Sequence, residues 1–196
     1  VGVLAVAGPQ LLGSIGGTKA DANIPVYVNR APGILNSGGP AIDALQAAVE
    51  AIGHENSEKN NRIAEDAVAA LDNEVRALLN KSPFDMENIR VASSLANRGS
   101  DLYPNEATNA LVSEVQEDNR AYKIVLTDLD RDTSSGTFIL NDAGGTRETV
   151  QQGGTLLGRF KVQRVLAGSG MVSIVDTKRG NRSVVFEPGR EPRAPN

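Results

Sequence analysis

The stretch Ala121-Tyr122-Lys123-Ile124-Val125-Leu126-Thr127-Asp128-Leu129-Asp130-Arg131-Asp132-Thr133-Ser134-Ser135-Gly136-Thr137-Phe138-Ile139-Leu140 decides the fold. Before it, apolar residues recur every three or four positions. Within it they alternate, and two β-prone runs, Tyr122–Thr127 and Thr137–Leu140, flank an Asp- and Ser-rich turn. A change of period from helical to two partway along one chain predicts an α+β protein. A helical N-terminal region should precede a small antiparallel β-sheet or barrel.

Downstream, Thr155–Leu166, Met171–Asp176 and Arg182–Glu187 read as further strands. Turns are marked by Gly144-Gly145, Gly153-Gly154, Gly168-Ser169-Gly170 and Arg179-Gly180-Asn181. This gives a β-domain over 121–187. The last residues, 188–196, carry Pro188, Pro192, Pro195, Arg190 and Arg193 and are expected to be an extended or disordered flexible tail.

Upstream, Asn105–Asn119 reads as a helix with Ala107, Leu111 and Val115 on its apolar side. A shorter helix begins at Asp85, a suitable N-cap, carries Ile89 and Leu95, and ends near Gly99. Ile63, Ala67, Ala70, Leu71, Val75 and Leu78 form one face of a helix over about 58–79, which Ser82-Pro83 stops. Ile42, Leu45, Val49 and Ile52 mark a helix opened by Pro40. The polar run Gly53–Ser57 leaves open a helical hairpin or one long helix. These stripes define a helical region over 40–120. Residues 1–39 hold most of their glycines and prolines in no regular pattern (Pro9, Pro25, Pro32, Gly33, Gly38, Gly39) and are expected to form an extended arm. Ile24–Val28 is a short β-like piece within it, suited to lying on another subunit.

The chain opens on Val1, which suggests processing or a fragment. Its apolar start, Val1–Ile15, fits either the remnant of a hydrophobic anchor or a segment packed in a subunit interface. It is shorter than the ~20 residues a transmembrane helix needs, so no transmembrane span is expected.

Composition restricts the chemistry. With 196 residues, 40% hydrophobic, and a mean hydropathy of −0.24, the chain can bury a core. Trp is absent, and aromatics make up 4%, so stacking platforms for sugars or bases are scarce. The absence of cysteine excludes thiolate nucleophiles, disulfides, Cys-bound zinc and iron–sulfur clusters, and leaves the compartment open.

His54, the sole histidine, has no nucleophile motif to serve and reads as a surface residue. Asp128-Leu129-Asp130-Arg131-Asp132 starts like a calcium loop, but Thr133 stands where Gly is required and Ile139 where a bidentate Glu is required. Gly13-Ser14-Ile15-Gly16-Gly17-Thr18-Lys19 does not satisfy the phosphate-loop spacing. The expectation is therefore a protein that is not an enzyme, with no catalytic residues, no metal site and no cofactor.

Charge is unevenly spread. Residues 1–120 carry nine Lys and Arg against sixteen Asp and Glu, and residues 121–196 carry eleven against eight. Such asymmetry favours contacts between subunits in a homo- or hetero-oligomer, or a basic face toward an anionic partner. Arg159, Lys161, Arg164, Lys178, Arg179 and Arg182 form the candidate basic interaction face, with Arg159 and Lys161 on one strand face. On a small β-barrel such a face would suit nucleic acid.

The runs Ile124-Val125-Leu126, Gly136-Thr137-Phe138-Ile139-Leu140, Val150-Gln151-Gln152-Gly153-Gly154-Thr155-Leu156-Leu157-Gly158, Phe160-Lys161-Val162-Gln163-Arg164-Val165 and Met171-Val172-Ser173-Ile174-Val175-Asp176 follow one another as strand, turn, strand, glycine step and closing hairpins. In this pattern residues 122–186 resemble the small periplasmic β-domain shared by inner-membrane clamp proteins of type II secretion and lipoproteins of type IV pilus assembly. The resemblance implies a protein-binding module that docks on an outer-membrane ring partner without a cofactor. The leading expectation is a structural, assembly subunit of an envelope-associated machine, periplasmic or otherwise envelope-bound. A bacteriophage virion protein (capsid, tail or internal component) is the alternative, and a nucleic-acid-binding β-barrel the third.

Overall fold

The computed structural model describes residues 23–140 and 145–195. Among the described residues five helices precede seven strands: α1 Asn23–Asn36, α2 Ala41–His54, α3 Glu58–Asn80, α4 Met86–Leu102, α5 Glu106–Tyr122, then β1 Val125–Asp130, β2 Ser135–Ile139, β3 Arg147–Gln151, β4 Thr155–Leu156, β5 Phe160–Leu166, β6 Met171–Asp176 and β7 Arg182–Phe186. The chain is thus α+β, with its helices first. No helix among the described residues is long and apolar enough to cross a membrane. The described residues form two compact units, 23–71 with Asp101–Pro104, and Asp72–Ser100 with 105–140 and 145–195.

In the first unit, the part of the expected extended arm that is described is instead helical, including Ile24–Val28; residues 1–22 lie outside the described residues. Two placements reconcile its prolines with a helix. Pro25 sits in the first turn, where its missing N–H has no intrahelical acceptor, and Pro32 removes a single bond. The glycines are the stop signal. Gly38 takes a φ of +72°, its N–H bonds to Leu35 O at 3.0 Å, and the Gly39 N–H bonds to Ile34 O at 2.8 Å. That is a Schellman cap, which glycine adopts without a Cβ penalty.

Ala31, Ala41, Ala44, Leu45, Ala48 and Ala51 are buried, whereas Val49 and Ile52 are only half-buried. The inner face of α2 is therefore rotated toward its alanines, whose small side chains let helices approach closely. Between α2 and α3 the chain breaks at Glu55, which is extended (φ −148°, ψ 109°). The Asn60 amide donates to Ala51 O and Glu55 O at 3.3 and 2.7 Å, fastening the start of α3 to the end of α2. Of the two possibilities left by the sequence, the chain forms two helices.

In the second unit, α5 starts at a capping box in which Asn105 accepts from the Thr108 N–H at 2.9 Å and the Thr108 hydroxyl accepts from the Asn105 N–H at 3.1 Å. It runs to Tyr122, which the sequence assigned to a strand. The strands make two antiparallel sheets, β1-β2-β3 and β4-β5-β6-β7, and not a closed barrel. Leu126, Phe138 and Val150 of the first sheet and Val162, Val172, Ile174, Val184 and Phe186 of the second are buried. Gly136 marks a close approach, since a Cβ there would stand 3.1 Å from a Val172 methyl of the other sheet and 3.2 Å from the Phe138 ring.

All four phenylalanines of the chain join one aromatic string with Tyr122. Phe84 lies 4.6 Å from Tyr122, Tyr122 5.5 Å from Phe160, Phe160 6.5 Å from Phe186, and Phe186 5.8 Å from Phe138. This string carries the core from the loop after α3, past α5, into both sheets.

The expected strand Thr155–Leu166 is two strands. Leu157 and Gly158 both take positive φ (53° and 64°), and the Arg159 N–H bonds to Leu156 O at 3.1 Å, a tight turn that folds β5 back on β4. The tail turns back at 188–190, where Gly189 takes a φ of +67° and the Arg190 N–H bonds to Glu187 O at 3.2 Å; Arg193 and Val185 then exchange backbone bonds of 2.8 and 3.1 Å along the outer edge of β7, and Glu187 pairs with the Arg193 guanidinium.

Candidate functional site

Glu114, Asp118 and Tyr122 recur at every fourth residue of α5 and therefore share one of its faces. Two tight turns of the second sheet supply their partners. The turn after β4 presents Arg159, whose carbonyl is held by the N–H and hydroxyl of Thr177 at 3.1 and 2.7 Å. The turn between β6 and β7, where Gly180 and Asn181 take positive φ, presents Arg179 and Arg182.

The result is an alternating chain of charges. Arg159 grips Asp176 through Nε and Nη2 at 2.8 and 2.6 Å and reaches Asp118 through Nη1 at 2.8 Å. Asp118 also accepts from Arg179 Nε at 2.8 Å, and Arg179 Nη2 donates to Glu114 at 2.9 Å. Arg76 of α3 continues the chain, bonding Glu114 at 2.8 Å and Asp72 at 2.8 Å. At the opposite end the Tyr122 hydroxyl donates to Asp176 and accepts from Arg182 Nη2 at 2.6 Å. Arg182 Nη1 then donates to Leu79 O and Lys81 O at 2.7 and 3.1 Å, so a strand residue caps the open carbonyls of α3. Its guanidinium also lies 4.8 Å from the centre of the Phe84 ring.

The alternation is electrically balanced, four arginines against four carboxylates. Burial alone would raise the Asp176 pKa, but the bonds from Arg159 and Tyr122 hold it below the ordinary carboxylate value. Burial and then the bond to Asp176 push the Tyr122 phenol well above its usual range, so the hydroxyl stays protonated. Burial opposes the charge on Arg159, yet Asp176 and Asp118 raise its pKa above the usual arginine value. Every oxygen of Asp176 is occupied by donors, the Lys178 N–H at 3.0 Å included. The arrangement acts as a clamp of α3 and α5 onto the second sheet. Ion pairs this deep add little over an apolar core of the same shape, but removing one partner is severe.

The candidate basic face is not one surface. Arg159, Arg179 and Arg182 are 7, 6 and 7% exposed and belong to the internal chain of charges. Lys178 is at the surface, paired with Glu117 at 2.6 Å. Lys161 and Arg164 are exposed on β5, on either side of a bulge at Val162/Arg164. Arg159 does not share a strand face with Lys161, because it lies in the turn ahead of β5. Phe160 and Phe186, the aromatics that could have stacked on bases, are in the core.

In the Asp-rich turn, Asp130 accepts from the Thr133 side chain and from the N–H groups of Asp132 and Thr133, which lowers its pKa. The Asp130 carboxylate is thus engaged in shaping the turn between β1 and β2.

Beside the charged chain lies a cleft of about 480 Å³, with Ala121, Ile124, Leu140 and Leu157 as its apolar wall. Its charged lining is Arg120, Arg159 and Lys178 with Glu117. Comparison of the chain with protein-family models, with curated proteins and with solved structures finds no match in any of the three.

Proposed function

We propose that the chain is a non-enzymatic assembly subunit that binds other proteins, within an envelope-associated machine of the secretion or pilus kind. The observation that supports this most is the edge of the first sheet. Among the described residues β1 is hydrogen-bonded to β2 alone, leaving one side of Val125–Asp130 open to a further strand. Strand addition at such an edge supplies main-chain bonds to a partner without any reactive group. Asp128 and Asp130 near the end of β1 disfavour indiscriminate pairing, so Val125–Thr127 is the receptive part. The resemblance of residues 122–186 to secretion and pilus β-domains supplies the envelope address.

The test is a photo-crosslinking amino acid at Thr127 in the native host. Adducts with an envelope ring or platform subunit are the expected result. Adducts with virion proteins that co-sediment with particles would move the assignment to a phage structural role. A chain that yields no protein adduct from Thr127 or from a panel of surface positions would overturn the reading.

A further inference from the structure

Leu157 is a leucine with a φ of 53°, at the tip of the β4–β5 turn and 44% exposed. Turns of this kind call for Asn, Asp or Gly at both central positions, because a branched or bulky side chain crowds its own backbone there. Gly158 meets that demand and Leu157 does not. A large apolar side chain is thus held in an unfavourable backbone region and left partly facing solvent. Strained residues of this kind gather at ligand clamps.

Leu157 also forms part of the cleft wall with Ala121, Ile124 and Leu140. At the cleft mouth, Lys178 is balanced by Glu117, but the guanidinium of Arg120 makes no ion pair among the described residues. The volume of about 480 Å³ falls within the range of clefts that take up small ligands.

We infer that this cleft is a docking site for an extended segment of a partner protein in which a bulky aliphatic residue adjoins an Asp or Glu. The aliphatic side chain inserts against Leu157, Ile124 and Leu140, and the carboxylate meets Arg120 with Lys178 beside it. The inference rests on the chain being a protein-binding subunit, but it concerns a surface other than the β1 edge.

Selection of random peptides displayed on phage against the immobilised full chain tests it. The expected consensus pairs Leu, Ile or Phe with an acidic neighbour. Synthetic consensus peptide, read by fluorescence polarisation, should bind Leu157→Asn and Arg120→Glu at least tenfold more weakly and Arg164→Glu unchanged. Leu157→Asn should at the same time raise the midpoint of thermal unfolding by about 2–4 °C, as relief of a strained turn requires. A consensus without the acidic residue, binding insensitive to Leu157→Asn, or a lowered midpoint in that variant would each overturn the inference. Thr127 adducts in the host would survive that outcome, so loss of the cleft is distinguishable from loss of the assembly role.

Discussion

Replacing Asp176 with Asn perturbs the clamp while keeping its shape. The native carboxylate accepts from Arg159 Nε and Nη2, from the Tyr122 hydroxyl and from the Lys178 N–H. An amide offers one acceptor oxygen and turns an NH₂ toward groups that all donate, so about half of these contacts are lost. Arg159 is left with Asp118, which Arg179 already shares. Leaving a buried arginine half compensated costs about 3–5 kcal/mol, against a total stability of about 5–15 kcal/mol for an ordinary domain. Urea unfolding followed by circular dichroism at pH 7 should show the midpoint falling with an unchanged slope. Acid gives a second reading. The folded-state pKa of Asp176 is depressed, so its contribution is fully present above the ordinary carboxylate value of about 4 and is lost as pH falls through the lower folded value. The gap between wild type and Asp176→Asn should therefore narrow below about pH 4. A gap under about 1 kcal/mol at pH 7, or one that does not narrow in acid, would refute the clamp as drawn.

Tyr122→Phe should cost about 1.5–3 kcal/mol in the same urea assay, because Arg182 Nη2 and Asp176 each lose a charge-assisted partner while the ring contacts persist. Gly136→Ala should destabilise by about 1–3 kcal/mol through overpacking against Val172, Phe138 and Leu126, and hydrogen exchange should rise in both sheets. Gly38→Ala should cost about 1 kcal/mol, read as lower helicity by circular dichroism, since it forces a Cβ into the left-handed cap of α1. On heparin, the protein should elute at low salt, and Lys161→Ala should lower the eluting salt further, because Lys161 faces solvent.

The order of elements was legible because it rests on local signals. The change of period near residue 121 separates helices from strands, and Asp85 and Asn105 stand just ahead of α4 and α5. Where local signals conflicted, the reading failed. The prolines of α1 suggested an arm, yet one sits in the first turn and Gly38-Gly39 form an orthodox helix stop. Leu157 concealed a turn because its side chain argues for strand, and only Gly158 hinted otherwise. The clamp was out of reach because the bonds that tie α5 and the end of α3 to the second sheet join residues 41 to 103 positions apart, such as Arg159 to Asp118 and Arg182 to Leu79. Basic residues counted along the chain looked like a surface, and two of their acidic partners, Glu114 and Asp118, lay on a helix whose polar side was read as solvated. One trace was present: an acid, an acid and a tyrosine at helical spacing beside the apolar stripe of Leu111 and Val115.

Because each acidic or phenolic group along that face of α5 meets its own combination of arginines, Glu114 with Arg76 and Arg179, Asp118 with Arg159 and Arg179, and Tyr122 with Arg182, the helix has one preferred axial position. Slipping by a turn would move Asp118 away from Arg159 and Arg179 together and bring tyrosine to a place built for a carboxylate. An aliphatic stripe tolerates such slippage far better, since one branched side chain substitutes tolerably for the next. The salt-linked row thus works as a combination lock. Its members can drift in evolution only by concerted exchange, and in related chains the acid of each pair should change in step with its arginine.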